Sequence, residues 1–463
     1  MTYLAAFASL AVQVAGLVGS LGIAPAAPAL ARIAGAVGLE RLYLVPTLFW
    51  LDASDGALRA LCWSGVVLAV LLILDVAPAL CLSLLWAAYL SLVTVGQDFL
   101  AFQWDGLLLE TGFLAVFLAP WRLPPRLRQT SEPPALFRFL LWFLLFRLMF
   151  SSGLVKLLSG DSTWRDLTAL TVHYETQPLP PWTAWFAHQL PAWFHRLSAA
   201  IMFGVELVVP FLIAAPRRWR HAGSVVLVVF QALIAATGNY AFFNLLTVAL
   251  CLLLLDDAVL EPWLTWPHQD VERSAHPPRV LAWPVAALLG ALGLVLLMGF
   301  ADRRILRTGP VRWAFGATAP WHLVNSYGLF AMMTTTRPEI VVQGSADGET
   351  WRDYAFPWKP GAPGRRPAFV APHQPRLDWQ MWFAALGDCQ SSRWLPGLFR
   401  RLLEGSPTVL GLLAGNPFPE GPPRYVRALV RDYRFTDPGE RARSGRWWRQ
   451  GEPQLFCPAV SLE

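Results

Sequence analysis

The sequence predicts a polytopic α-helical membrane protein of about nine spans, followed by an extramembrane α+β domain. Three observations carry this. Charged residues make up only 15% of the 463 positions against 55% hydrophobic ones, whereas a soluble chain carries about a quarter charged residues. The apolar residues come in blocks of about twenty, the length that crosses a bilayer as a helix. From residue 301 onward the text changes to mixed, turn-punctuated segments. The boundary between a membrane domain (1–300) and a C-terminal domain (301–463) is placed there.

The first apolar run, 3–23, lacks a basic flank. It is read as a retained helix in preference to a signal peptide, although APAAPALA after it resembles a cleavage site. A loop with a short amphipathic piece, ARIAGAVGLERL, follows. Further spans are predicted at 57–75, 77–96, 101–120, 136–157, 197–214, 221–238, 240–256 and 280–300, with prolines such as Pro78, Pro120 and Pro210 at or near their ends. The basic loops 121–138 and RRWRH (217–221) are assigned to the cytoplasm. The mildly acidic 161–181 and the uncharged GNYAFF (238–243) go to the other side. Alternation then places the N-terminus inside and everything after 300 outside, an outcome opposed by Arg303, Arg304 and Arg307.

Beyond residue 301, PEIVVQGSADGETWRDYAFPW alternates around an Asp-Gly turn, a hairpin signal. RLDWQMWFAALGD and LFRRLLEGSPTVLGLLAG have helical spacing. RYVRALVRDYRFTDPGERARSGRWWRQ returns to strand-like text.

Composition excludes several function classes. The net charge of +6 is scattered arginine without a basic, aromatic-interleaved tract, so no nucleic-acid partner is expected. Arginine preferred over lysine, with abundant Ala, Gly and Pro, suggests a GC-rich, bacterial genome and hence an inner-membrane location. No Cys or His spacing suits a metal, and no cofactor motif is present. Cys62, Cys81 and Cys251 lie in apolar runs as small core residues. Cys389 and Cys457 fall outside the membrane and pair only if that side is oxidising.

Charges inside spans are costly and therefore functional candidates. Depth, at 1.5 Å per residue, sorts them. An outer layer holds Asp105, Lys156, Asn239, Tyr240 and Asn244, with His173, Tyr174 and Glu175 in the loop above. An inner layer holds Glu110, Arg147 and Glu206, in which Arg147 is expected to neutralise one of the two carboxylates structurally. Lys156 is one of only two lysines among 37 basic residues. A desolvated lysine can serve as a base, which arginine cannot. The catalytic hypothesis therefore takes Lys156, with Asp105 and His173. The alternative is that Lys156 snorkels to the headgroups or pairs structurally.

Several stretches carry a resemblance: FQWDGLLLETGFLAVFLAPW (102–121), GLVKLLSGDSTWRDLTALTVHYETQPLP (153–180), NYAFFNLLTVALCLLLLDD (239–257), NSYGLFAMMTTTRPEIVVQGSADGETW (325–351), APHQPRLDWQMWFAAL (371–386) and NPFPEGPPRYVRALVRDYRFT (416–436). Through them, nearly the whole chain resembles the lipase maturation factor family. The resemblance implies a polytopic protein that assists folding of secreted, lipase-like clients within a lipid bilayer. It also implies a C-terminal domain on the lumenal side of the endoplasmic reticulum in animals, or the periplasmic side in bacteria. The chain as given lacks the long tail of some animal members.

A second likeness concerns Gly153, Lys156, Leu157, Asp161 and Trp164, which are similar to a motif of vitamin K-dependent γ-carboxylases. That likeness implies a base role for Lys156. It supports the alternative reading of a membrane enzyme acting on a quinone-like or lipid substrate.

Overall fold

The computed structural model describes residues 1–123, 125, 133–260 and 277–462. Residues 124 and 126–132 of the basic 121–138 loop used for orientation lie outside these residues. Six described helices are long and apolar enough to span a membrane: Asp55–Ile73, Pro78–Val95, Ala135–Leu158, Ala192–Ala214, Arg217–Thr237 and Arg279–Ala301. The expected count of about nine is thereby corrected. The other three apolar runs form shorter helices, Thr2–Ala11, Gln103–Leu118 and Phe243–Leu252. With 10, 16 and 10 residues, these extend about 15, 24 and 15 Å at 1.5 Å per residue, short of a roughly 30 Å hydrocarbon core.

Local chemistry sets the boundaries. The Ser54 hydroxyl accepts the Ala57 N–H and starts the second membrane-length run's predecessor, Asp55–Ile73. Pro78 stands at the first position of the next helix, where its missing N–H costs nothing. In the Ala192–Ala214 span the α-helix ends at Leu207 and continues as a 3-10 segment, Val209–Ala214, carrying Pro210.

After residue 301 the chain builds a small antiparallel sheet. Its strands are β1 (Pro338–Ser345), β2 (Arg352–Asp353), β3 (Tyr425–Phe435), β4 (Trp448–Gln450) and β5 (Gln454–Val460). The order is β2-β1-β3-β4, with β5 also on β3. The expected hairpin is present: β1 and β2 pair through Gln343↔Asp353, and Gly348 turns the chain at φ +81. The expected helices form at Arg376–Ala385 and Leu395–Leu403, whereas the strand-like stretch after Tyr425 is interrupted by a helix, Pro438–Ser444, whose first turn is capped by Asp437. Cys389 and Cys457 are joined in a disulfide that ties the loop between those helices to β5.

One apolar cluster runs without a break from Phe7 and Tyr89 through Leu145 to Ile340, Val426 and Cys457. The sheet region therefore shares its core with the helices. Side-chain bonds repeat this. Segment 325–333 threads among the helices, with Asn325 N–H on Glu110, Gly328 N–H on Gln103 and Met333 N–H on Asp161.

Candidate functional site

Helices Ala135–Leu158 and Ala192–Leu207 pack tightly at Gly153. A Cβ there would stand 2.8 Å from Leu207 Cδ2 and 2.9 Å from Glu206 Cβ. One helical turn on, on the same face, Lys156 meets Glu206: Nζ lies 2.9 and 2.8 Å from its two carboxylate oxygens. The third ammonium proton goes to the Ser152 carbonyl at 3.0 Å. Both side chains are buried, so the charges satisfy one another away from water. The Trp164 ring stands 5.6 Å from Nζ.

This pair forms the polar end of a cavity of about 530 Å³, within the roughly 300–1,000 Å³ range of small-molecule sites. Its walls are mostly apolar, from Leu148, Met202, Phe230, Ile234 and Phe330. Leu197, Ile201 and Leu233 border it and are exposed on the helix surfaces. His173 and Tyr240 also line it, their Nε2 and Oη 3.1 Å apart, and the Tyr240 hydroxyl donates to Gln177 at 2.9 Å. Burial, and secondarily the Lys156 charge, bring the His173 pKa down to about 4, so the imidazole is neutral near pH 7. The cavity combines paired charges, a neutral imidazole and apolar walls. It suits an apolar or amphiphilic occupant more than an ionic one.

The two sequence-derived layers rearrange. Glu206, placed with Arg147, instead belongs to Lys156. Lys156 and Arg147 are nine residues apart, about 180° around the helix, and so face different neighbours. Arg147 pairs with Glu110, as expected of one of its two candidate carboxylates. The other Glu110 oxygen accepts the Asn325 N–H at 2.9 Å and the Tyr327 hydroxyl at 2.7 Å.

Asp105, expected within reach of Lys156, is engaged elsewhere. Arg376 grips it at 3.0 and 2.9 Å in a bidentate pair, and the Tyr89 hydroxyl donates at 2.5 Å. Of the outer layer, Tyr174 lines the cavity together with His173 and Tyr240. Asn244 supports it by donating to Gln231 at 2.8 Å. Asn239 and Glu175 bind backbone of the C-terminal region instead. Asn239 donates to the Ala368 carbonyl and accepts from Val370 N–H, while Glu175 accepts from Phe435 N–H. Burial raises the Glu175 pKa.

Sequence reasoning missed Asn325, Tyr327 and Arg376. Each meets its partner from more than 200 residues away, where no local pattern exists. Among the described residues, no group of three His, Cys, Asp or Glu side chains could hold a metal ion.

Comparison with known families matches residues 1–262 to the lipase maturation factor transmembrane domain and residues 323–458 to the lipase maturation factor C-terminal domain. Lipase maturation factor 2 of Mus musculus is 40% identical, covering 99% of this chain and 81% of its own length. The human lipase maturation factor 2 is 39% identical over the same shares. Lipase maturation factor 1 of Bos taurus is 36% identical, covering 96% of this chain and 84% of its own length. No solved structure matches. The chain belongs to the lipase maturation factor family.

Proposed function

We propose that the protein is an integral membrane factor that helps secreted, lipase-like clients reach their active fold. The observation that carries this is similarity along nearly the full chain, C-terminal region included, to proteins named lipase maturation factors. A membrane half of 1–300 would anchor a client-handling region of 301–463. The cavity at Lys156, Glu206, His173 and Tyr240 would hold a membrane lipid, its charged pair acting as a polar anchor.

The C-terminal region is proposed to lie outside the cytoplasm, facing the periplasm if the host is bacterial, as the arginine-rich composition suggests. The Cys389–Cys457 disulfide supports that side, since disulfides persist in oxidising compartments. Cys62, Cys81 and Cys251 are free and buried in helices. A membrane-impermeant thiol reagent should label Cys389 and Cys457 in sealed spheroplasts only after reduction. Labelling that needs inside-out vesicles would overturn the orientation.

The functional test is complementation. Cells lacking their own lipase maturation factor are given this chain together with a dimeric secreted lipase, and lipase activity per mass of secreted enzyme is measured. Specific activity above the empty-vector control is expected. Equal specific activity, with the protein confirmed in the membrane, would remove the proposal.

A further inference from the structure

A second pocket, of about 380 Å³, lies where the end of helix Arg279–Ala301 meets helix Ala135–Leu158 and the segment 325–327. Its polar half contains Arg147, Arg303 and Arg307, and its apolar half Leu296, Phe300 and Leu306.

Arg147 is only 4% exposed, yet its guanidinium is under-used. One Nη bonds Glu110, the other reaches the Asn325 carbonyl at a long 3.4 Å, and Nε has no partner. A guanidinium carries five donors. Arg303 and Arg307 are exposed, and no carboxylate pairs with either among the described residues. The acidic groups nearby are already engaged. Glu110 takes Arg147, Asn325 and Tyr327, and Asp302 caps the Arg304 N–H at 2.8 Å. Counting Arg304 beside Asp302, four arginines against Glu110 and Asp302 leave two positive charges in excess.

We propose that this pocket binds the phosphate group of an anionic membrane phospholipid, with an acyl chain along Leu296 and Phe300. Arginine presents a planar fork matched to phosphate oxygens, and basic pockets between membrane helices suit anionic headgroups. This reading gives a role to Arg303 and Arg307 of the arginine cluster that opposed the charge-based topology. An anionic headgroup compensates such a cluster on either face of the membrane.

The test uses the full chain in detergent, offered equimolar dioleoyl phosphatidylglycerol and dioleoyl phosphatidylcholine, with bound lipid read by native mass spectrometry. A preference of about tenfold for the glycerol lipid is expected. The pair R303Q/R307Q should bring the ratio close to one. The pair R304Q/R312Q removes the same charge from exposed arginines outside the pocket and should leave the preference standing. Equal loss in both pairs, or no preference in the unaltered protein, would overturn the site. A thermal shift with inorganic phosphate alone and none with phosphatidylglycerol would overturn the lipid as its source.

Discussion

The two lysines of this chain are both spent on buried pairs, Lys156 with Glu206 and Lys359 with Glu339, each at 2.8 Å. Removing one end of such a pair strands the other charge in a dry site, at roughly 3–5 kcal/mol. Lys156→Met should therefore lower the thermal unfolding midpoint sharply, and Lys156→Met with Glu206→Met should recover most of the loss. A double variant no more stable than the single one would mean that Lys156 contributes by something other than its charge. His173 adds a pH dependence. Burial brings its folded pKa to about 4, below the 6.5 of a free imidazole, so the unfolded chain takes up the proton first. Stability is fully present above about pH 6.5 and is lost as pH falls toward 4. Lys156 and Glu206 face the same cavity, and Tyr174 and Tyr240 flank the ring. Unfolding midpoints measured between these pH values should fall less steeply for His173→Gln, and an unchanged slope would exclude His173 as a contributor.

Elements whose cause is local were legible in advance. The Asp347-Gly348 hairpin, the Arg376–Ala385 helix and the long spans follow from turn chemistry and periodicity within about twenty residues. Segment 325–333 was not, because it has no regular structure and its bonds go to Glu110, Gln103 and Asp161. Residue rarity pointed to Lys156, but a linear depth ruler misassigned Glu206, since the helix that carries it begins at Ala192 rather than 197. Gly153 explains the GLVKL setting: the helices must touch there for the Lys156–Glu206 pair to form. The disulfide acts at this scale too. It closes a loop 68 residues long in sequence, which by chain entropy stabilises by about 4 kcal/mol. Cys389→Ser and chemical reduction should each lower the unfolding midpoint by the same amount, and reduction should have no further effect on the variant. A reduction effect persisting in Cys389→Ser would assign it to another thiol.

Taken whole, the molecule is less divisible than its composition suggests. The change of text at 301 is real, but buried polar bonds cross it repeatedly. Arg337 is fully enclosed, donating to the carbonyls of Glu175 and Pro178 at 2.7 and 2.8 Å and to Glu339. Ser9 and Gln13 bond the backbone of Gln374 and Arg376. Asp105, at 0% exposure, has Arg376 as its counter-charge. A chain cut at 300 would leave that carboxylate buried without its cation, at roughly 3–5 kcal/mol, out of a net stability of about 5–15 kcal/mol for an ordinary domain. It would also uncover the apolar surface that Ile340, Val426 and Leu377 now cover. Residues 1–300 expressed alone should therefore run as aggregate on size-exclusion chromatography in mild detergent, and a sharp monomeric peak would show that the membrane half folds independently. The full chain isolates the electrostatic part. Arg376→Leu should lower the unfolding midpoint more than Asp105→Leu combined with Arg376→Leu, because only the single change leaves a charge unpaired. If the two fall equally, the helix Arg376–Ala385 is held by packing and its ion pair contributes little.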